Sequence, residues 1–360
     1  MDAAENAYEK ILSHLKSLKD PKVEPKIAGA YHQFCRLATA RQQYDQAEQW
    51  CHKALDIYER LDLKCDAASE YHELGNIALA QQQYVQAKEW YFKALEIREQ
   101  LKLERYVAAT YHQLGSVALE LEDNKQAEQW YRKALEIRVR LGLKRDQAST
   151  YHQLGRAALE QQQLDQAEQW HRRALEIREA LGVERDAADE YHQLGRVALE
   201  RSQFEQAKEW HLKALEVRER LNLEREQAST YHRLGDVAEK NQQFDEAEQR
   251  YGKALEIYKG LHLERDEARE YFALGNTAMK RSNSDQAEDW YRKALEIYER
   301  LHLEKDRARG YYALGNVAQN RHQADQAKNW YCNALKIFKE LGMERDLRTV
   351  QESLQRIDMK

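Results

Sequence analysis

Residues Tyr191 to Thr230 read YHQLGRVALERSQFEQAKEWHLKALEVRERLNLEREQAST, and nearly the same forty residues recur along the chain. The other copies begin at Tyr31, Tyr71, Tyr111, Tyr151, Tyr231, Tyr271 and Tyr311, so that eight copies fill residues 31–350. A fixed period of ~20–50 residues is typical of stacked supersecondary units and not of a closed globular core. The sequence therefore predicts one elongated repeat domain and, as a class of function, a binding scaffold.

Each copy predicts two amphipathic helices, named helix A and helix B below. The apolar and small residues of the quoted copy follow helical spacing: Tyr191, Leu194, Gly195 and Ala198 in helix A, and Ala207, His211, Leu215 and Trp210, Ala214, Val217, Leu221 in helix B. Glycine inside a helix costs about 1 kcal/mol relative to alanine. Its recurrence at the position of Gly195 therefore predicts that helices A and B pack closely there.

The two turns of the copy carry different signals. Phe204 stands where it can cover the turn between helices A and B, and the polar or small residues Asn124, Ser284 and Ala324 at this position predict looser turns in repeats 3, 7 and 8. Helix B ends in runs such as Leu141-Gly142-Leu143. A glycine followed by an apolar residue predicts a left-handed C-terminal cap.

The pair Leu194-Gly195, the series Ala207, His211 and Ala214, and the two-helix plan resemble the tetratricopeptide repeat. The resemblance covers about nine-tenths of the chain. It departs in the absence of a proline after helix B and in a period of 40 residues instead of ~34. The longer period is similar to that of kinesin light chain, Pins-type adaptors and bacterial arrays. The resemblance implies an all-α superhelix, a solenoid of antiparallel helix pairs.

The two ends of the chain depart from the repeat. Residues 1–30 predict a capping helix over Ala7–Leu18 and a connector that contains Pro21 and Pro25. The eight repeats are then assigned to residues 31–345, and residues 346–360 predict a C-terminal capping helix with the polar Gln355. The acidic start without an apolar run predicts no signal peptide, and no stretch reaches the ~20 apolar residues of a membrane span.

Composition and cysteine content limit the kinds of partner and the cellular compartment that the sequence predicts. Charged residues make up 33% of the chain, the net charge is −5, and no basic block occurs, so neither a nucleic acid nor a membrane is expected as a partner. Cys35 takes the position of the packing glycine and Cys51 that of the helix B aromatic. All four cysteines, which include Cys65 and Cys332, are predicted to be buried or half-buried thiols in a reducing, cytoplasmic compartment. A metal cluster of Cys35, Cys51 and Cys65 is the alternative, although its spacing matches no usual zinc pattern.

No motif for catalysis stands apart from the repeat. The sequence therefore predicts a non-enzymatic protein without cofactor or metal. The tryptophans, which recur at the position of Trp210 except for Arg250 in repeat 6, are predicted to pack in the core on a buried helix face, with an aromatic ligand ladder as the alternative. The histidines at the position of His192 are open to three interpretations: a metal ladder, a pH-sensitive groove, or groove-wall side chains that bond to their neighbours.

The family resemblance implies that helix A lines a concave, peptide-binding groove. Carried over by position, the groove residues are Arg156, Arg196, Lys240, Arg269, Phe272, Asn276, Lys280, Arg309, Tyr312, Asn316 and Asn320. Peptide-binding members place asparagine at the positions of Asn276 and Asn316, and an amide offers a donor and an acceptor to a peptide unit. The cations favour an acidic peptide or a carboxylate. A solvated groove, with Arg156 and Arg196 paired to Glu160 and Glu200, is the alternative.

These features favour a scaffold or adaptor that binds a peptide segment of another protein, as a monomer or weak oligomer. Two alternatives remain open from the sequence. The array could self-assemble through its ends, against which the polar Gln355 argues. It could also serve as the sensor or regulatory module of a separate effector.

Overall fold

A computed structural model describes residues 20–358 and, before them, residues 10, 12–15 and 17–18. Residues 20–358 are built of consecutive antiparallel helix pairs, and no strand occurs among them. Each helix of a pair has 17 residues and each connection has three. Two helices and two connections account for the 40-residue period, and the predicted all-α solenoid is confirmed.

Helix A begins seven residues before the tyrosine that opens each sequence copy. The eight A helices, in chain order, are Glu24–Ala40, Lys64–Ala80, Glu104–Glu120, Lys144–Glu160, Glu184–Glu200, Glu224–Lys240, Glu264–Lys280 and Glu304–Asn320. The eight B helices are Tyr44–Arg60, Tyr84–Gln100, Asn124–Arg140, Leu164–Ala180, Phe204–Arg220, Phe244–Gly260, Ser284–Arg300 and Ala324–Glu340. A 3₁₀ turn, Pro21–Val23, precedes the first pair, and a last helix, Glu344–Asp358, follows the eighth.

The chain divides into two compact units, one up to Gly182 and one from Val183. The first unit holds repeats 1 to 4, and the second holds repeats 5 to 8 with the last helix. Within each unit, helix A packs most extensively on helix B of its own repeat, and that helix B packs on helix A of the next repeat. Each unit is therefore a stack in which a repeat contacts its neighbours in the sequence.

The three-residue turns share one backbone geometry. The middle residue has a positive φ, for example +66° at Gly142 after helix B and +58° at Ser202 after helix A. Leu143 N–H donates to Arg138 O at 2.9 Å and Gly142 N–H donates to Val139 O at 3.1 Å, which is the hydrogen-bond pattern of a Schellman cap. The predicted left-handed cap after helix B is confirmed, and the turn after helix A uses the same device.

The predicted looser turns of repeats 3, 7 and 8 are wrong. Asn124, Ser284 and Ala324 begin helix B at the same point as Phe204 does. The backbone sets the geometry, because Asp123 N–H donates to Ala118 O at 2.9 Å as in the other turns. Two of the three turns also gain a side-chain cap, since Asp123 and Asn283 accept the backbone N–H of Gln126 and Gln286.

The glycine in helix A makes room for a ring of helix B. A Cβ atom at Gly235 would lie 2.5 Å from Cε1 of Tyr251, and the other glycines of this column face a helix B ring at similar distances. The pairs are Gly75–Tyr91, Gly115–Tyr131, Gly155–His171, Gly195–His211, Gly235–Tyr251, Gly275–Tyr291 and Gly315–Tyr331. Close packing of helices A and B at this glycine is therefore confirmed.

In repeat 1 the same position across the helix pair holds a disulfide. Cys35 and Cys51 are bonded, with their Cα atoms 5.3 Å apart, and both are fully buried. Cys65 and Cys332 are free and exposed. The predicted thiols of Cys35 and Cys51 and the three-cysteine cluster are therefore wrong, because helix pairing brings these two side chains together and leaves Cys65 outside. The burial predicted for Cys65 and Cys332 is also wrong, since both thiols lie on the solvent side of their helices. The cysteines no longer support a reducing compartment.

The ends of the described chain add apolar side chains to the terminal repeats. Leu12 is buried in the same cluster as Phe34, whereas parts of the predicted helix Ala7–Leu18 lie outside the described residues. In the last helix Val350 is buried, Leu354 is half-buried and Gln355 is exposed, whereas Met359 lies outside the described residues. The capping role of both ends stays a prediction.

Two glycines of repeat 6 separate packing from helix propensity. Gly235→Ala should lower the free energy of unfolding by about 1–3 kcal/mol, because the new Cβ forces the buried Tyr251 ring to move. Gly252→Ala should raise it by about 0.5–1 kcal/mol, because a methyl group added at this helical position would have nothing within 4 Å of it. Urea denaturation followed by circular dichroism measures both, and equal signs would contradict the packing argument.

Candidate functional site

The residues that the sequence assigns to a groove in repeats 6 to 8 lie on three A helices of the second unit. In Glu264–Lys280 they are Arg269, Phe272, Asn276 and Lys280, and the equivalent positions of Glu304–Asn320 are Arg309, Tyr312, Asn316 and Asn320. Spacings of three and four residues place each set on one side of its helix. Together with Lys240, these residues are called the helix A surface below.

Side chains connect the neighbouring A helices of this surface. Lys280 Nζ lies 2.6 Å from Glu239 Oε1, and the hydroxyl of Thr277 donates to Glu239 Oε2 at 3.0 Å. Tyr312 Oη lies 3.5 Å from Ser353 Oγ of the last helix. The helices of repeats 6 and 7, and those of repeat 8 and the C-terminal end, therefore present adjoining polar side chains.

The two asparagines are each held by a buried tyrosine of the following helix B. Tyr291 Oη donates to Asn276 Oδ1 at 2.8 Å. Tyr331 Oη donates to Asn316 Oδ1 at 2.7 Å and shares its proton with Gln319 Oε1 at 2.8 Å. Because the amide oxygen accepts this bond, the Nδ2 group of each half-buried asparagine points away from the tyrosine. The amide is therefore oriented by the core, a contact that sequence reasoning missed.

In the sequence, this contact corresponds to a tyrosine fifteen residues after the polar residue that it supports. Tyr91 donates to Asn76 at 2.8 Å and Tyr251 donates to Asp236 at 2.9 Å with the same spacing. Repeats 4 and 5 have His171 and His211 instead, below Arg156 and Arg196. The tyrosine support is therefore a property of particular repeats and not of the whole array.

Aromatic rings stand beside the two amides. Phe272 packs on Tyr291 with ring centroids 5.3 Å apart, and Tyr312 packs on Tyr331 at 5.6 Å. His72 packs on Tyr91 in the same way at 5.2 Å. Phe272 and Tyr312 therefore stand at the position of the histidine column and make the same ring contact. They replace the polar imidazole by a more apolar ring.

The cations of the helix A surface are largely paired within the chain. Arg269 contacts Asp266 at 3.1 Å and Glu270 at 3.4 Å, and it lines a cleft of ≈ 400 Å³ with Arg225, Arg265, Asp266, Tyr298 and Asp306. Arg309 lies 3.8 Å from Asp306, a longer contact. Lys240 and Asn320 are exposed. The surface is therefore mixed in charge and not uniformly positive.

Arg156 and Arg196 belong to different compact units. Arg156 donates to Gln153 Oε1 at 3.1 Å, and Arg196 donates to Gln193 Oε1 at 2.9 Å. Arg156 also lines a cleft of ≈ 390 Å³ in the first unit with Leu119, Glu120, Glu122, Asn124 and Glu160. The structure gives each arginine a glutamine partner one turn earlier in its helix.

The histidine column forms hydrogen bonds with charged neighbours. Arg98 donates to His72 Nδ1 and Arg138 donates to His112 Nδ1, each at 3.1 Å. Burial, together with the facing guanidinium group, lowers the pKa of His72 and His112 to about 3. These two histidines are therefore neutral acceptors near pH 7 and do not titrate there.

The tryptophans are half-buried packing residues. Trp210 stacks on Tyr191 with centroids 5.8 Å apart, and Lys213 Nζ lies 4.6 Å from the indole centroid. The stacked Tyr–Trp pair recurs in every repeat but repeat 6. The predicted packing against the core is confirmed, but the predicted burial is wrong, because each ring is half-exposed and lies between a tyrosine and, in most repeats, a lysine.

The consecutive helix pairs define a helical-repeat protein. The tetratricopeptide repeat profile matches residues 65–139, 106–180, 186–260 and 266–340, and a second profile of the same description matches residues 27–61. The chain belongs to the tetratricopeptide repeat family. No curated protein matches it.

Solved structures share the fold at low sequence identity. The chain is similar to a STAND protein with a tetratricopeptide repeat sensor from Pyrococcus horikoshii, at a TM-score of 0.68 and 16% identity over 98% of this chain and 55% of that one. It is also similar to the apo quorum sensor NprR from B. thuringiensis, at a TM-score of 0.67 and 15% identity over 93% of each chain. Such identities support the fold alone. Among the described helices, none is long and apolar enough to cross a membrane.

The histidine–arginine contact should make stability pH-dependent. His112 has a folded pKa below its ordinary value of 6.5, so its contribution is complete above pH 6.5 and is lost as the pH falls. His112→Gln should remove about 1 kcal/mol of this loss between pH 6.5 and 5.5. Urea denaturation of both proteins at these pH values measures the difference, and a gap between them that does not change with pH would contradict the assignment.

Proposed function

We propose that the chain is a non-enzymatic scaffold or adaptor whose helix A surface binds an extended peptide segment of another protein. Membership of the tetratricopeptide repeat family supports the class. The main support for the site is that the amide oxygens of Asn276 and Asn316 accept hydrogen bonds from buried tyrosines. Two polar groups of the same kind, oriented from the core in successive repeats, suit a ligand with a regular backbone.

The amide groups supply the chemistry of recognition. With Oδ1 engaged by the tyrosine, Nδ2 of Asn276 and of Asn316 can donate to carbonyl oxygens of a peptide, which every peptide has whatever its sequence. Fixing the amides beforehand lowers the entropy that binding would otherwise cost. Phe272 and Tyr312 add ring surface beside them. The arrangement favours backbone recognition with an apolar contribution.

Charge gives the proposed ligand an acidic preference centred on Arg309. Its contact with Asp306 is 3.8 Å long, whereas Arg269 and Lys280 have shorter carboxylate contacts. Lys240 adds an exposed cation. A ligand carboxylate would therefore compete most easily for Arg309 and Lys240. Cytoplasmic location, a monomeric or weakly oligomeric state, and the self-assembly and sensor alternatives stay predictions.

A synthetic peptide array tests the proposed binding. Extended 12-residue peptides of graded net charge should bind the purified chain, and the acidic ones most strongly. The triple variant Asn276→Ala, Asn316→Ala, Arg309→Ala should weaken the binding about 100-fold, because it removes three hydrogen-bonding groups worth about 1 kcal/mol each. Fluorescence anisotropy on the strongest peptide measures the dissociation constant.

Glu296→Ala is the matched control, since this exposed helix B residue is in the same repeat as Asn276. It should leave peptide binding unchanged. Circular dichroism must show equal helix content in all three proteins. Equal affinity of the triple variant and the wild type would exclude the helix A surface of repeats 6 to 8 as the peptide site.

The tyrosine support can be tested without touching the surface itself. Tyr291→Phe and Tyr331→Phe keep the ring against the glycine and remove the hydroxyl that orients each asparagine. Each should weaken peptide binding about five-fold, equivalent to about 1 kcal/mol. Tyr91→Phe, the equivalent change below Asn76, should have no such effect on peptide affinity. Similar losses from all three variants would contradict a site confined to repeats 6 to 8.

A further inference from the structure

Repeat 1 replaces the glycine–ring contact by two cysteines, and these lie in a buried polar cluster with a side chain from repeat 2. Cys35 and Cys51 are fully buried, and Glu70 is 1% exposed. The two sulfur atoms and a carboxylate oxygen of Glu70 all lie within 4.8 Å of one another. His32 Nδ1 is hydrogen-bonded to Glu70 Oε1 at 2.6 Å. These four residues are called the cysteine cluster below.

The chain contains an internal comparison for Glu70. In repeat 7 the buried Glu270 has both oxygens bonded, since His232 contacts Oε2 at 2.8 Å and Arg269 Nε donates to Oε1 at 3.4 Å. In repeat 2, Ser69 stands at the position of Arg269, and its hydroxyl donates to a backbone carbonyl. Glu70 Oε2 is buried and has no hydrogen-bond partner among the described residues. A buried carboxylate oxygen without a partner is costly, which points to a ligand at this position.

We propose that, once Cys35 and Cys51 are reduced, the cysteine cluster binds one zinc ion through both thiolates and a carboxylate oxygen of Glu70. Two soft sulfur ligands and one oxygen suit Zn²⁺, and tetrahedral coordination with Zn–S bonds of ~2.3 Å would separate the two sulfur atoms by ~3.8 Å. The disulfide holds the two sulfur atoms at bonding distance, so reduction must let them move apart before the ion can enter between them. His32 then holds the other oxygen of Glu70 as an outer partner of the metal.

Charge supports a cation at this place. Two thiolates and a carboxylate carry three negative charges, which a divalent cation largely neutralises. Cys35 and Cys51 of repeat 1 lie beside the buried Glu70 of repeat 2. The equivalent glutamate of repeat 7, Glu270, follows a repeat that has Gly235 and Tyr251 at the two cysteine positions. The site would therefore join helices A and B of repeat 1 to helix A of repeat 2.

The metal-bound and disulfide forms exclude each other. Reduction by an external phosphine or dithiol breaks the S–S bond, and the two sulfur atoms take up two electrons and two protons while the reductant is oxidised. Zinc binding then displaces the two thiol protons. Reoxidation by an external small-molecule disulfide transfers two electrons from the two thiolates to that disulfide, which leaves as two thiolates, while the Cys35–Cys51 bond forms again and the metal is released.

Metal titration of the reduced chain tests the site. The full chain is reduced with a phosphine under anaerobic conditions, and a thiol titration in denaturant verifies that four cysteines are free. Cobalt(II) should then produce a thiolate-to-cobalt charge-transfer band at one equivalent, and zinc should displace it. The double variant Cys35→Gly, Cys51→Tyr, which introduces the pair found in repeats 2, 3, 6, 7 and 8, should keep its helix content and lose the band.

Two further variants complete the test. Cys65→Ser with Cys332→Ser should bind as the wild type does, because both thiols are exposed and outside the cluster. Glu70→Gln should weaken zinc binding about ten-fold or more. If the buried disulfide resists reduction, the chain is unfolded, reduced and refolded with zinc. Absence of one bound equivalent in the reduced wild type, or full binding by the Cys35→Gly, Cys51→Tyr variant, would overturn the proposal.

Discussion

The contact between a helix A glycine and a helix B ring is the constraint on which the rest of each repeat depends. A Cβ atom at these glycines would lie about 2.4–2.7 Å from the nearest ring atom, so the helix axes could not stay at this separation with any larger residue. The ring in turn places a hydroxyl or an imidazole beneath the exposed side of helix A. Packing inside a repeat and the chemistry of its surface are therefore coupled through one side chain.

This coupling explains why repeats of nearly equal sequence present different surfaces. Where the ring belongs to tyrosine, as in Tyr291 and Tyr331, the hydroxyl holds an asparagine amide in one orientation. In repeats 4 and 5 the buried ring is a histidine, and the surface position is an arginine. In repeat 1 two sulfur atoms fill the same space and meet Glu70 of the next repeat. A change at a single buried column thus alters what the array can bind.

The exposed ion pairs connect helices, both between neighbouring repeats and within one repeat. Lys280 and Glu239 connect the A helices of successive repeats, and Arg300 and Glu264 connect the two helices of one repeat at the opposite end. Exposed pairs of this kind contribute little stability individually. Their consequence is that few cations remain available to a ligand, which makes Arg309 the centre of the proposed acidic preference.

The sequence by itself determined the fold class, the two-helix unit, the left-handed caps and the close approach at Gly195, because a pattern repeated eight times reports helical spacing and steric demand directly. It also singled out Asn276 and Asn316, through position in the repeat. Tertiary structure alone decided which side chains meet across helices: the tyrosine hydroxyls on the amides, the contact of Lys280 with Glu239, and the Cys35–Cys51 bond. These contacts join residues on different helices or opposite ends of a repeat, and their distances depend on how helices pack, which periodicity does not encode.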